Sequence, residues 1–317
     1  MYKQLESMPI SITELAVEHT RALERAVWNI FSTELAVETY AQIVDGRPIS
    51  HVYDDYCTSR RTDINGSEPS LEAKQVVEAF QAKSNPRLLQ IDSKLAQAFQ
   101  STSIGEREFN VRLLEILAVL CHEIATILSI NAEGELRQLP EESPFLPQPT
   151  ELYHLFYTSS ERYPQGVADI VGYWAEYRLF GGVVLFDRGE LGVEARDVFI
   201  HPVGHYKIYQ LSDAQIQRWA VSVLSENLQP KEIHDGLRFR SEKYARRIDP
   251  YDALSLNIYR DKYAAKIPEQ RPRRCVMRLE DDPEMMDAIE ELNQSRPSIA
   301  DLPITPPPLL PGESDDH

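Results

Sequence analysis

Residues 163–211 read YPQGVADIVGYWAEYRLFGGVVLFDRGELGVEARDVFIHPVGHYKIYQL, and the fold turns on how this stretch is taken. It holds seven of the thirteen glycines and nine of the twenty-eight aromatic residues. Aromatic and β-branched residues alternate along it, between glycine pairs that punctuate strands. The pattern predicts strands over about 167–178, 183–187, 197–201 and 205–211, with Gly181-Gly182 as a hairpin turn or bulge. Connections this short favour antiparallel neighbours, because parallel strands need a crossover of roughly a dozen residues or more.

Outward from that block the apolar period changes from two to 3.6. Ser11-Ile-Thr-Glu14 has capping-box spacing, and Ile12 to Phe31 carries apolar residues at helical intervals. Asp45-Gly-Arg-Pro48 is a stop, leaving one helix of about thirty residues or two broken near Ser32. Further helices are expected from Ser67–Ser70, from Asn85-Pro86, and over Arg107 to Ser129, which is apolar around most of its circumference. Ser212-Asp-Ala-Gln215 is a second capping box opening a helix after the sheet, and Pro283 to Leu292 suits a short acidic helix. The expected class is therefore α+β: a helical N-terminal half, a small antiparallel sheet near 167–211, and a helical C-terminal part.

Leu139 to Thr150 carries four prolines in twelve residues and is the best boundary. It divides a helical region (1–138) from a sheet-plus-helix region (151–278), followed by an acidic, proline-rich tail (279–317). The two larger regions are compatible with one domain.

Charge narrows the partners. The net charge is −17, but the tail has eleven acidic residues against one arginine, while 231–278 has thirteen basic against seven acidic. A chain so acidic repels phosphate backbones, which makes nucleic acid an unlikely principal partner. The basic segment, with Arg238, Arg240, Lys243, Arg246, Arg247 and Arg260, reads as a solvated helical face, or as a surface that binds an anion or folds against the acidic tail. No uninterrupted apolar run suits a membrane span, and the N-terminus lacks a secretory pattern, so the expected compartment is cytoplasmic. Cys57, Cys121 and Cys275 are too few and too scattered for a disulfide framework, and reduced thiols are expected.

Four residues stand out as candidate chemistry. His201 and His205, brought to one side of a turn, could act as acid and base or hold a metal, with Glu176 and Asp187 assisting and Asp169 or His154 as further partners. On a strand, Trp174, Glu176 and Arg178 would share one face. The ordinary explanation is strong: two strand ends joined by Pro-Val-Gly account for the histidines, and Glu176 with Arg178 could simply pair at a solvent edge. In Cys121-His122-Glu123 neighbouring helical side chains diverge by about 100 degrees, so Cys121 reads as an inert core thiol. Phosphate-loop, dinucleotide-binding and serine-hydrolase signatures are absent, and no cofactor is indicated. The leading expectation is a soluble enzyme acting on a small molecule by acid-base or metal-assisted chemistry. The alternative is a non-catalytic binding or scaffold protein whose tail offers two P-x-x-P matches, Pro303 to Pro306 and Pro308 to Pro311, to a protein partner.

The run YPQGVADIVGYWAEYRLFGGVVLFDRG (163–189), with FIHP (199–202) and YQLSDAQIQ (209–217), resembles a group of uncharacterised proteins from filamentous fungi, mainly over residues 150–228. The resemblance implies a fungal, intracellular origin in or near secondary metabolism. It brings no catalytic residues with it.

Overall fold

The computed structural model describes residues 9–53, 66–83, 90–132, 149–203, 207–226, 236–261 and 282–295. It is an α+β fold in which helices surround a small antiparallel sheet. The expected helix from Asn85-Pro86, His205, Cys57, Cys275, most of the proline-rich connection and the P-x-x-P tail lie outside the described residues.

A short strand β1 (Pro9–Ser11) leads into a 3-10 turn (Ile12–Glu14), where the Ser11–Glu14 capping box is formed. Helices α1 (Val17–Phe31) and α2 (Glu34–Asp45) follow, broken at Ser32-Thr33. There the Thr33 hydroxyl accepts from the Ala36 amide and so satisfies an orphan donor of α2. Gly46, at φ 72°, caps α2 in the left-handed conformation that a helix stop favours. Next come α3 (Ser50–Tyr53), α4 (Leu71–Lys83), β2 (Gln90–Asp92, antiparallel to β1), α5 (Ser93–Gln100) and the 26-residue α6 (Arg107–Ala132).

Helix α6 is apolar on nearly all sides and is enclosed by protein. By length and composition it passes for a membrane span, but 78% of its most apolar window is buried against the rest of the chain. A helix with no polar stripe belongs at the centre of an assembly of helices.

The largest correction falls on residues 167–178. They form helix α7 (Val167–Phe180), not a strand. Every residue from Ala168 to Phe180 is buried, so no polar face marks out a 3.6-residue period, and the aromatic and β-branched content that remains imitates a strand. The Gly181-Gly182 pair is the exit of that helix. Gly181, at φ 88°, donates its amide to the Tyr177 carbonyl, and a Cβ there would sit 2.5 Å from the Phe239 carbonyl oxygen.

The remaining strand expectations hold within a few residues. β3 (Val183–Asp187) pairs with β4 (Val198–His201), β4 with β5 (Ile208–Gln210), and two further short strands, β6 (Arg247–Ile248) and β7 (Ile258–Tyr259), complete the order β6-β5-β4-β3-β7, all antiparallel. Successive residues of β3 and β4 face opposite sides, yet Val183 to Phe186 and Val198 to His201 are all buried. The sheet is therefore covered on both faces. Helix α8 (Asp213–Leu224) starts at the expected Ser212–Gln215 capping box, α9 (Pro250–Ala253) starts behind the Asp249 cap, and α10 (Pro283–Ser295) covers the expected acidic helix.

One hydrophobic core runs from Ile12 through α6 and α7 to Ile258. It joins residues on either side of the proline-rich connection. The basic segment is not a uniformly solvated helix: Arg247 lies in β6, Arg260 follows β7 and is 6% exposed, and acidic α10 rests on Arg247 and Lys243 through ion pairs.

Candidate functional site

Helices α6 and α7 pack along their length, and an ionic cluster is buried where they meet. Asp169, Gly172 and Glu176 occupy positions i, i+3 and i+7 of α7, which places them on one face. His122 of α6 projects onto that face over Gly172. Its Nδ1 lies 2.8 Å from Glu176 Oε1 and its Nε2 lies 3.1 Å from Asp169 Oδ1. Arg260, carried in by β7, pairs with Glu176 Oε1 through Nη1 and stands 3.0 Å from His122 Nδ1. All four residues are at most 7% exposed, and Glu176 is fully buried.

A guanidinium only donates, so with an Arg260 Nη1–H directed at His122 the ring accepts at Nδ1, and its 2.8 Å approach to Glu176 Oε1 is then acceptor to acceptor, with the Arg260 donor shared between the two atoms. The ring proton then sits on Nε2 and is given to Asp169. This neutral tautomer agrees with burial and the Arg260 charge, which together lower the imidazole pKa below its ordinary value. The other carboxylate oxygens are also engaged: Glu176 Oε2 accepts from the Val184 amide at 3.2 Å, and Asp169 Oδ2 from the Gln165 amide at 2.7 Å. Glu123, next on α6, is partly buried, and desolvation raises its carboxyl pKa despite the opposing fields of Arg260 and His122.

A second buried ion group holds Arg260 in place. Arg188 donates through Nη2 to the Arg260 carbonyl and through Nη1 to Glu115, whose other oxygen accepts from Arg112 at 2.6 Å. Glu115 and His122 are seven apart on α6, so the two groups lie along the same side of one helix.

Aromatic rings wall the cluster. Tyr173 stacks on Tyr157 at 4.6 Å, meets His122 edge-on at 4.7 Å, lies 5.2 Å from Tyr163, and has the Arg260 guanidinium 5.7 Å from its centroid. Burial raises the pKa of all three phenols. The Tyr163 hydroxyl is buried and has no hydrogen-bond partner among the described residues. The Arg260 Nε likewise lacks a hydrogen-bond partner, although the Asp261 carboxylate stands 3.9 Å away.

Of the four residues singled out from sequence, His205 lies outside the described residues, and Glu176, His201 and Asp187 do not converge on one point. Glu176 is at the heart of the cluster, but on a helix, where it is separated from Trp174 instead of sharing a face with it. Nor do Glu176 and Arg178 pair at a solvent edge: both are buried, and Arg178 binds Glu38 at 2.7 Å. His201 ends β4, fully buried, with Nδ1 3.1 Å from the Tyr157 hydroxyl, and Tyr157 in turn stacks on Tyr173 of the cluster. His154 donates from Nε2 to the His201 carbonyl and accepts the Phe156 amide at Nδ1, and burial pushes its pKa down to about 3. Asp187 closes the turn after β3 by accepting from the Gly189 amide at 2.9 Å, and among the described residues it makes no hydrogen bond to the cluster. Among the described residues, no three or more His, Cys, Asp or Glu side chains are grouped to hold a metal ion.

His122 and Arg260 were missed as site residues. The available signal was polar residues recurring at helical spacing inside otherwise apolar runs: Glu115 and His122 on α6, and Asp169, Gly172 and Glu176 on α7. It becomes visible once 167–180 is taken as a helix. Nothing local marks Arg260, because its burial depends on the placement of β7. Comparison of the chain with family models, curated proteins and solved structures found no match.

Proposed function

We propose that the protein is an enzyme that performs acid-base chemistry on a small molecule at the His122–Asp169–Glu176–Arg260 cluster. The observation that carries this reading is a histidine held between two carboxylates and an arginine, all buried, where apolar packing would serve stability as well or better. Asp169 is the proton acceptor, oriented by the His122 Nε2–H donated to its Oδ1. Glu123, whose burial favours the protonated carboxyl, is the proton donor at the rim. Arg260 and Glu176 form a fixed charge pair that needs little reorganisation during reaction, and the tyrosines supply the apolar walls expected of a ligand site.

The test is untargeted. Purified protein is incubated with a broad cellular metabolite extract, and depleted and newly formed species are compared by mass spectrometry with Asp169→Asn and Glu123→Gln, after their folds are checked by circular dichroism. Wild type converts a metabolite and each variant slows that conversion at least a hundredfold. Conversion at wild-type rate by both variants, or no conversion by the wild type, overturns the proposal.

A non-catalytic binding role is favoured by one separate observation. Helix α10 buries no residue and exposes Met286, Ile289 and Leu292 at helical spacing, the pattern of a helix that lies in a partner's groove.

A further inference from the structure

We infer that Arg188 is the positioning residue of the cluster: its guanidinium ties the backbone of Tyr259 and Arg260 to Glu115 of α6, and so sets the Arg260 charge against His122 and Glu176. The chemical meaning of that placement rests on the acid-base reading above.

Arg260 has little local structure to hold it. It follows β7, an edge strand of two residues that pairs with Phe186 and Asp187 of β3. An edge this short does little to order the residue after it. The chain enters β7 through Asn257, whose φ of 57° makes a sharp turn.

Arg188 supplies the constraint that the strand lacks. Its amide donates to the Asn257 carbonyl at 2.8 Å, its Nε to the Tyr259 carbonyl at 3.1 Å and its Nη2 to the Arg260 carbonyl. Nη1 donates to Glu115 and, at 3.4 Å, to the Glu194 carbonyl. Arg188 is 8% exposed and Glu115 4%. A planar fork with fixed donors sets direction as well as distance, which a lysine ammonium does not do. Burying such a pair is a poor route to stability, because apolar residues of similar volume serve as well. What the pair adds is geometry.

The anchor and the site share one helix. Glu115 and His122 are two turns of α6 apart, about 10 Å. Arg260 is fastened beside the first through its carbonyl and brings its guanidinium to the second. The charged groups around His122 are Asp169 and Glu176 from α7, Glu123 on α6, and Arg260 and Asp261 after β7. With Arg260 in place, its charge opposes protonation of the imidazole and its Nη1–H occupies Nδ1. With Arg260 displaced, Nδ1 faces the Glu176 carboxylate alone, and protonation is favoured.

The experiment uses the full chain with ¹⁵N-labelled histidine. Long-range proton–nitrogen spectra follow the His122 ring with pH, and His122→Gln assigns its signals. Wild type keeps the neutral Nε2–H ring at pH 6. Arg188→Met raises the imidazolium fraction at that pH about fivefold or more, and Arg260→Met does the same. The double variant matches Arg260→Met alone, because both substitutions act through one guanidinium. Arg188→Lys keeps the charge without the fork and moves the ring in the same direction, and it carries the test if Arg188→Met does not fold. A folded Arg188 variant with a lowered Tm and a wild-type His122 titration overturns the inference, as do additive effects of Arg188→Met and Arg260→Met. Those outcomes leave the extract-turnover result standing. Conversely, the His122 shift without turnover by the wild type removes the acid-base reading and keeps the positioning of Arg260 by Arg188.

Discussion

Gly172 and His122 are in obligatory contact: a Cβ placed on Gly172 would lie 2.4 Å from His122 Nε2 and 2.5 Å from the neighbouring ring carbons. The missing side chain on α7 is the space in which the imidazole of α6 sits. Because Asp169 and Glu176 flank that glycine on the same face, the absence of one methyl group permits both contacts of the ring.

Gly172→Ala therefore drives the imidazole from between its carboxylates. Overpacking of this kind costs about 1–3 kcal/mol, against roughly 1 kcal/mol returned by the helix propensity of alanine. The net expectation is a loss of about 0–2 kcal/mol in urea unfolding. His122→Ala in the same chain removes the clash, so the double variant should be at least ~1 kcal/mol more stable than the two single losses predict. Additive losses would show that the ring and the glycine do not compete for space.

How far the fold was legible follows from where polar residues lie. Chain segments with one wet face announced themselves: the α1 and α2 break, the Gly46 stop and the Ser212 start all have local causes, and the structure has them within a residue or two. Helix α7 hid because burial on every side left no period to detect, and its tyrosines, tryptophan and valines suit a strand equally well. The same error scattered the site. On a strand, Glu176 falls beside Trp174 and Arg178; on a helix, it falls beside Gly172 and Asp169. His122 looked ordinary because its sequence neighbour Cys121 points elsewhere, and its true partners are 47 and 54 positions away. Arg260 is 84 positions from Glu176, a separation that no local pattern spans.

His154 makes stability depend on pH. Burial holds its folded-state pKa at about 3, whereas the unfolded chain takes a proton near the ordinary histidine value of about 6.5. Above the unfolded value neither state is protonated and the residue adds no slope. As pH falls from about 6.5 towards 3 only the unfolded state binds the proton, so stability drops by up to ~1.4 kcal/mol per pH unit. His122, also lowered, acts in the same direction. Urea midpoints at pH 7.5, 6.0 and 5.0 should fall in that order, and His154→Asn should remove close to one proton from the slope. An unchanged slope in that variant would assign the dependence elsewhere.

Cys121 should be inert while the chain is folded. It is 2% exposed, and burial pushes its pKa up to about 12, with the nearby Tyr40 hydroxyl and the Arg260 charge pulling weakly the other way. At pH 8 the thiolate is then on the order of one part in ten thousand. Iodoacetamide labelling followed by peptide mapping should show Cys121 modified only in denaturant, or at the rate of global unfolding. Modification at the speed of a free thiol in native buffer would contradict the burial.

Helix α10 should detach with salt. None of its residues is buried, and among the described residues it is tied to the rest of the chain by the ion pairs Lys243–Asp287 at 2.7 Å, Arg247–Asp282 at 2.9 Å and Arg247–Glu284 and by a hydrogen bond that Glu284 accepts from the Tyr244 backbone. Lys243 and Asp287 are half exposed, so that pair contributes little, whereas Arg247 is 12% exposed and holds two carboxylates at once. Raising NaCl from 0.05 to 0.5 M shortens the Debye length from above 10 Å to roughly 4 Å and weakens all three. Hydrogen exchange of residues 285–295 should accelerate several-fold on that change. At low salt Arg247→Ala should accelerate it at least tenfold, while Lys243→Ala has a smaller effect. If neither salt nor Arg247→Ala alters the exchange, the helix is held by contacts other than these charges.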